Sequence, residues 1–206
     1  MKKTIIFDLD GTLVDIEPIF LRLFNILAPE FHLAPITPEE IPLLKKFHLK
    51  TLAWKRLGWR IIFLPRLLQR GREEYHTLAS SVGLFSGIKE LLTTLHEHGF
   101  RIGIVSSSRE DTIRTIVSSH ALPIDFLSSG KLFNKAQSLK EALEREHLSL
   151  SDTLYIGDEV RDVEACQKIG LDIITVTWGL NSKEALQKTG AQTVDTREEL
   201  LTHLLQ

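Results

Sequence analysis

The chain has 206 residues, 43% hydrophobic and 25% charged, a balance typical of a globular protein that excludes a disordered or fibrous one. A net charge of -2 and a pI near 6.5 give no overall basic field for nucleic acid or an anionic membrane. The apolar run Ile61-Ile62-Phe63-Leu64 stops at Pro65, far short of a membrane span, and the lone Cys166 rules out an intrachain disulfide; with no secretory signal ahead of the first strand, a reducing, cytoplasmic setting is expected.

Thr4-Ile5-Ile6-Phe7 reads as a short strand buried on both faces, and it runs directly into Asp8-Leu9-Asp10-Gly11-Thr12. Asp is a poor strand residue and costly to bury. Two of them at the tip of a core strand require a compensating partner, most simply a divalent cation.

Residues 16–85 differ in character. Leu, Phe and Trp recur at irregular helical spacing, interrupted by Pro29, Pro35, Pro38, Pro42 and Pro65, with no convincing β-run. This stretch is predicted to be an inserted, mainly helical domain, leaving residues 1–15 and 86–206 as an α/β core. The insert carries ten Lys/Arg against six Asp/Glu and the remainder 15 against 21, so a basic insert faces an acidic body, as suits an anionic substrate. Lys45, Lys46, Lys50, Arg56, Arg60 and Arg66 are candidate anion contacts.

From Ser86 onward a βα rhythm predicts a parallel sheet covered by helices on both faces. Helices are expected over 87–98, 108–119, 134–147, behind Asp158 as far as Gly170, and over 182–189 and 196–205; strands are expected over 101–105, 125–127, 153–157 and 173–177. Ser108 with Asp111, and Thr196 with Glu199, have capping-box spacing. The eight His are scattered, with His96, His98 and His147 at helix ends, and are read as structural or surface residues. Cys166 is read as core packing, and Trp178 as packing at the edge of the site.

Ligands of open α/β sheets bind beyond the carboxyl ends of the strands, where strand order reverses. Three predicted strand ends carry reactive groups there: Asp8 and Asp10, Ser106, and Asp158 with Asp162. Taken in order, Asp8-Leu9-Asp10-Gly11-Thr12, the Ser of Val105-Ser106-Ser107, a Lys within 131–140 and Gly157-Asp158-Glu159-Val160-Arg161-Asp162 resemble the four motifs of the haloacid dehalogenase superfamily of phosphatases. Residues 104–180 are most similar to its phosphoglycolate-phosphatase-like and β-phosphoglucomutase-like branch.

The resemblance implies a Rossmann-like, doubly wound parallel sheet with an inserted helical cap of the C1 type. It also implies Mg²⁺-dependent hydrolysis of a small phosphorylated metabolite through an aspartyl phosphate. Asp8 would be the nucleophile, Asp10 the general acid and then the base, and Thr12 would hold these carboxylates. Ser106 and Ser107 would take the phosphoryl oxygens. Mg²⁺ would be held by the Asp8 carboxylate, the Asp10 backbone carbonyl and Asp158, with Asp162 behind them ordering waters or the Lys. Lys135, which opens a periodic helix, matches the family Lys best; Lys131 is the runner-up, and Lys140 reads as a solvated helix residue. A phosphosugar mutase on the same core is the alternative function, and a non-catalytic phosphate-binding module a more distant one.

Overall fold

The computed structural model describes residues 2–130 and 134–206, with the backbone alone for Leu49 and Lys50. Six parallel strands form one sheet: β1 (Thr4–Phe7), β2 (Arg101–Ser106), β3 (Phe126–Ser129), β4 (Thr153–Gly157), β5 (Asp172–Val176) and β6 (Gln192–Val194), in the order β3-β2-β1-β4-β5-β6. The first strand is central, with Thr4 opposite Arg101 on one side and Thr153 on the other. Its four residues are all buried because both faces are covered.

Alternation sends successive side chains of β1 to opposite layers. Ile5 and Phe7 join Leu92, Leu95, Ile113 and Leu200, from helices α5 (Ile88–Glu97), α6 (Glu110–His120) and α10 (Arg197–Leu205). Ile6 joins Leu139, Ala142 and Cys166, from α7 (Lys135–Arg145) and α8 (Val160–Ile169). The parallel sheet covered on both faces that the βα rhythm predicts is therefore present, doubly wound as the resemblance implies, and Cys166 is packed in its core as read.

Between β1 and β2 the chain is helical: α1 (Glu17–Leu27), α2 (Ile41–Leu44), α3 (Leu49–Leu57) and α4 (Leu64–Leu78), joined by 3₁₀ turns. Leu27, Phe31, Leu33, Leu57 and Leu67 form a separate apolar cluster there. The insert also touches the body at its far end, where the Ser182 N–H and the Asn181 side chain donate to Lys45 O at 2.9 and 3.1 Å. Among the described residues, no helix is long and apolar enough to cross a membrane.

Two sequence expectations need correction. The body has a sixth strand, β6, which pairs Gln192–Val194 with β5; three residues at a sheet edge are too few to show a period. Ser108 does not cap α6. The helix begins after Arg109 with no side-chain cap, and the Ser108 hydroxyl is used elsewhere. The Thr196 cap is present, its side chain accepting from the Glu199 N–H ahead of α10, and α9 is the short helix Lys183–Gln187.

Candidate active site

The carboxyl ends of β1, β2 and β4 lie side by side, so Asp8, Ser106 and Asp158 emerge at one edge of the sheet where strand order reverses. The Asp8 N–H donates to Ile156 O at 2.8 Å, extending the β1–β4 ladder one residue beyond the strand and fixing where the carboxylate points. Asp8 Oδ1 accepts from the Leu9 N–H at 2.8 Å. Its other oxygen meets Lys135, the first residue of α7, with Nζ to Oδ2 at 2.6 Å. The same Nζ lies 2.8 Å from Asp162 Oδ1 and 5.1 Å from the centre of the Tyr155 ring.

This buried line sets two carboxylates against one ammonium. Burial pushes the Asp8 carboxyl up to about 7, with Lys135 pulling against it. Burial works against the Lys135 ammonium as well, but Asp162 and Asp8 outweigh it and hold it above the ordinary lysine range. Lys131 lies outside the described residues, and Lys140 is exposed on α7.

Asp158 is fully buried. Its Oδ1 accepts from Thr12 Oγ1 at 2.8 Å and its Oδ2 from the Leu180 N–H at 2.7 Å, yet burial, reinforced by Glu159, Asp162 and Asp8, drives its carboxyl well above the usual range. Asp162 Oδ2 accepts from the N–H groups of Asp158 and Glu159 at 3.2 and 3.1 Å, which ties the end of β4 to the start of α8. Carboxylate oxygens of Asp8, Asp158 and Asp162 all lie within 4.8 Å of one another.

Asp8, Asp158, Glu159 and Asp162 bring four formal negative charges inside, against two positive ones from Lys135 and the nearly buried Arg161. A divalent cation would balance the difference, and an all-oxygen donor set suits a hard ion. The wall around Asp158 is shaped for close approach: a Cβ on Gly179 would stand 2.3 Å from Asp158 Oδ2, and one on Gly11 2.2 Å from it. Gly11 also has a φ of +90°, where side chains are strained.

Asp10 is held differently. The Tyr75 hydroxyl on α4 donates to its Oδ1 at 2.5 Å and the Ser108 hydroxyl to its Oδ2 at 2.6 Å. Burial and the neighbouring Asp10 keep the Tyr75 phenol above its usual range, so it stays a donor. Ser106 Oγ accepts from the Ser108 N–H at 3.1 Å, which leaves its own proton to donate. Ser107 is half-buried, and its carbonyl accepts from Arg72 at 3.1 Å. Trp178 Nε1 donates to Thr12 O at 3.0 Å, so Thr12 is clamped through both its backbone and its hydroxyl.

Tyr75, Ser108 and Arg72 escape the sequence reading. Ser108 has capping spacing that masks its long-range role, and Tyr75 and Arg72 lie in an insert with no motif. Of the candidate anion contacts there, Lys45 pairs with Glu17 at 2.6 Å, Arg56 with Glu40 at 2.8 Å and Arg66 with Glu30 at 3.3 Å.

A family model described as haloacid dehalogenase-like hydrolase matches residues 5–176. The phosphoglycolate phosphatase of Synechococcus elongatus is 33% identical over 187 residues, covering 89% of this chain and 88% of that one. The phosphoglycolate phosphatase of Xylella fastidiosa strain Temecula1 is 31% identical over 194 residues, covering 88% and 83%. Among solved structures, a predicted phosphatase from Clostridium acetobutylicum superposes with a TM-score of 0.86 at 23% identity, covering 100% of this chain and 99% of that one. A haloacid dehalogenase-like hydrolase from Streptococcus pneumoniae gives 0.84 at 20% identity, covering 98% of each; at these identities the likeness is one of fold.

Proposed function

We infer that this chain, which belongs to the haloacid dehalogenase-like hydrolase family and is a phosphatase, attacks its phosphate monoester with the Asp8 carboxylate. The observation that carries this reading is the buried line Asp8–Lys135–Asp162 beside Asp158, at the sheet edge where ligands of this architecture bind. A nucleophile there must be ionised when the ester arrives, and Lys135 favours that form.

In the first step an Asp8 oxygen bonds to phosphorus, the ester P–O bond breaks, and Asp10 gives a proton to the departing alkoxide. In the second, water attacks the aspartyl phosphate, Asp10 takes its proton, and inorganic phosphate leaves with Asp8 regenerated. The Ser106 hydroxyl and Lys135 would hold the equatorial phosphoryl oxygens, with Ser107 beside them. The Thr12 hydroxyl donates to Asp158 and not to the Asp8 and Asp10 carboxylates it was expected to hold, so Thr12 would be a positioning residue for Asp158.

The divalent cation that the carboxylates could hold is, in this reading, Mg²⁺, carried by Asp8, Asp158 and the Asp10 backbone carbonyl, with Asp162 behind them. When bound it supplies charge neutralisation between the carboxylates and the phosphoryl group. Residues 1–15 and 86–206 act as the catalytic core and residues 16–85 as a cap; the Tyr75–Asp10 and Arg72–Ser107 contacts support that division. The relatives' names support a small phosphorylated acid, phosphoglycolate, as the first substrate to test. The lone Cys166 supports a reducing, cytoplasmic setting.

The test is release of inorganic phosphate from phosphoglycolate and a panel of sugar phosphates, with Mg²⁺ and with EDTA, by wild type and Asp8→Asn. Release that requires both the metal and Asp8 is expected. Isomerised sugar phosphate without net release would replace this reading with a mutase.

A further inference from the structure

The segment from Ile41 to Arg72 holds nine Lys/Arg (Lys45, Lys46, Lys50, Lys55, Arg56, Arg60, Arg66, Arg70 and Arg72) and no Asp or Glu. Several of these are neutralised by carboxylates from outside it: Lys45 by Glu17, Arg56 by Glu40, Arg66 by Glu30, and Arg70 by Glu30, Glu73 and Glu74. Arg72 differs. It is half-buried, no carboxylate among the described residues pairs with it, and its hydrogen bond there goes to the neutral Ser107 carbonyl at 3.1 Å. A guanidinium has five donors and keeps its charge at every accessible pH. This one brings an unmatched positive charge to the loop Ser106–Ser108 at the mouth of the site.

Its position relative to Asp10 gives that charge a target. Arg72 and Tyr75 stand three apart on α4, so they share a helix face. Tyr75 touches Asp10 Oδ1 at 2.5 Å while Ser108, in the loop Arg72 reaches, touches Oδ2 at 2.6 Å. On the reading that Asp10 protonates the leaving group, the departing oxygen must come within hydrogen-bond reach of this carboxylate, and whatever it carries then meets Tyr75 and Arg72. Tyr75 is itself buried, which limits that group to a few atoms. We propose that Arg72 and Tyr75 form the leaving-group subsite, with Arg72 reading a carboxylate on a short hydroxy-acid leaving group and Tyr75 orienting the leaving-group oxygen against Asp10.

The inference rests on the acid role of Asp10, which Asp10→Asn tests apart from it: undiminished turnover by that variant overturns the acid, while the ester preference still decides the role of Arg72. The values of kcat/KM for 2-phosphoglycolate and for ethyl phosphate, which has the same chain length without the carboxylate, are compared in wild type, Arg72→Met, Arg72→Lys, Tyr75→Phe, Asp8→Asn and Asp10→Asn. Wild type should prefer 2-phosphoglycolate. Arg72→Met should cut that preference roughly 10- to 100-fold, the worth of one charge-assisted hydrogen-bonded pair, with the loss in KM, and Arg72→Lys should restore part of it. Tyr75→Phe should lower kcat on both esters, because the group it orients is common to them. A wild type indifferent to the carboxylate, a loss in Arg72→Met that is equal on both esters and so leaves the preference intact, or an undiminished kcat in Tyr75→Phe overturns the subsite. Undiminished turnover by Asp8→Asn overturns the nucleophile instead, and the ester preference still decides the role of Arg72.

Discussion

Replacing Lys135 by Met removes one ammonium and leaves two carboxylates facing each other. Nζ lies 2.6 Å from Asp8 Oδ2 and 2.8 Å from Asp162 Oδ1, so those oxygens are at most about 5.4 Å apart, the sum of the two. Two unit charges at that separation repel by about 3 kcal/mol at an effective dielectric of 20, and breaking a buried pair by deleting one partner costs about 3–5 kcal/mol. A domain with a total stability of about 5–15 kcal/mol feels that loss strongly. In urea, with a slope near 2–3 kcal/mol/M, the midpoint should fall by about 1–2 M. EDTA in the buffer keeps a cation from filling the gap.

The loss should also depend on pH in a definite direction. Burial already lifts the Asp8 carboxyl from 3.8 to about 7 with Lys135 pulling it down, so the variant's carboxyl lies higher still. A group raised in the folded state binds more protons folded than unfolded between those two values, so stability falls as pH rises through that window. The deficit should therefore be larger at pH 8 than at pH 5. Adding Asp162→Asn removes one of the opposed charges, and the double variant should lose less than the two singles together. A deficit below about 1 kcal/mol at pH 8, or one that does not change between pH 5 and pH 8, would refute the buried-charge argument.

Asp8→Asn keeps the side chain's size and should abolish phosphate release while leaving the melting temperature within a few degrees of wild type; residual turnover near normal would remove Asp8 from the nucleophile's place. Gly179→Ala forces a methyl to 2.3 Å from Asp158 Oδ2, so it should cost about 1–3 kcal/mol of stability and weaken Mg²⁺ binding, read by thermal melting and calorimetric titration. Burial raises the Cys166 thiol well above its ordinary range and hides it in the core, so an aromatic disulfide reagent at pH 8 should label it only after denaturant is added.

The centre of the sheet was legible because β1, β2 and β4 are buried almost throughout and announce themselves as short, mostly apolar runs, each leading into a polar residue that a buried strand would not otherwise carry. Lys135 was legible because it is the first residue of a strongly periodic helix, and that placement is what carries its amine to Asp8. Ser108 misled because capping is a local pattern, whereas its hydroxyl answers a carboxylate 98 residues away in sequence. Tyr75 and Arg72 left no trace: the face of α4 that meets the body is decided by packing, and a Tyr or Arg on a helix is ordinary. The edge strand β6 was too short to display alternation.

The central place of β1 governs the order of assembly during synthesis. Its two neighbours begin at Arg101 and Thr153, so the strand that carries Asp8 leaves the ribosome first and waits for partners made long after it. At about 5–20 residues per second the wait for β4 is roughly 7–30 s, spent with Thr4–Phe7 unpaired. The helical insert, whose contacts are local, can condense within that interval and separate β1 from its partners until the body closes around it. Slowing translation between β1 and β4 should therefore expose an apolar, strand-forming segment for longer and raise the share of chain lost to aggregation.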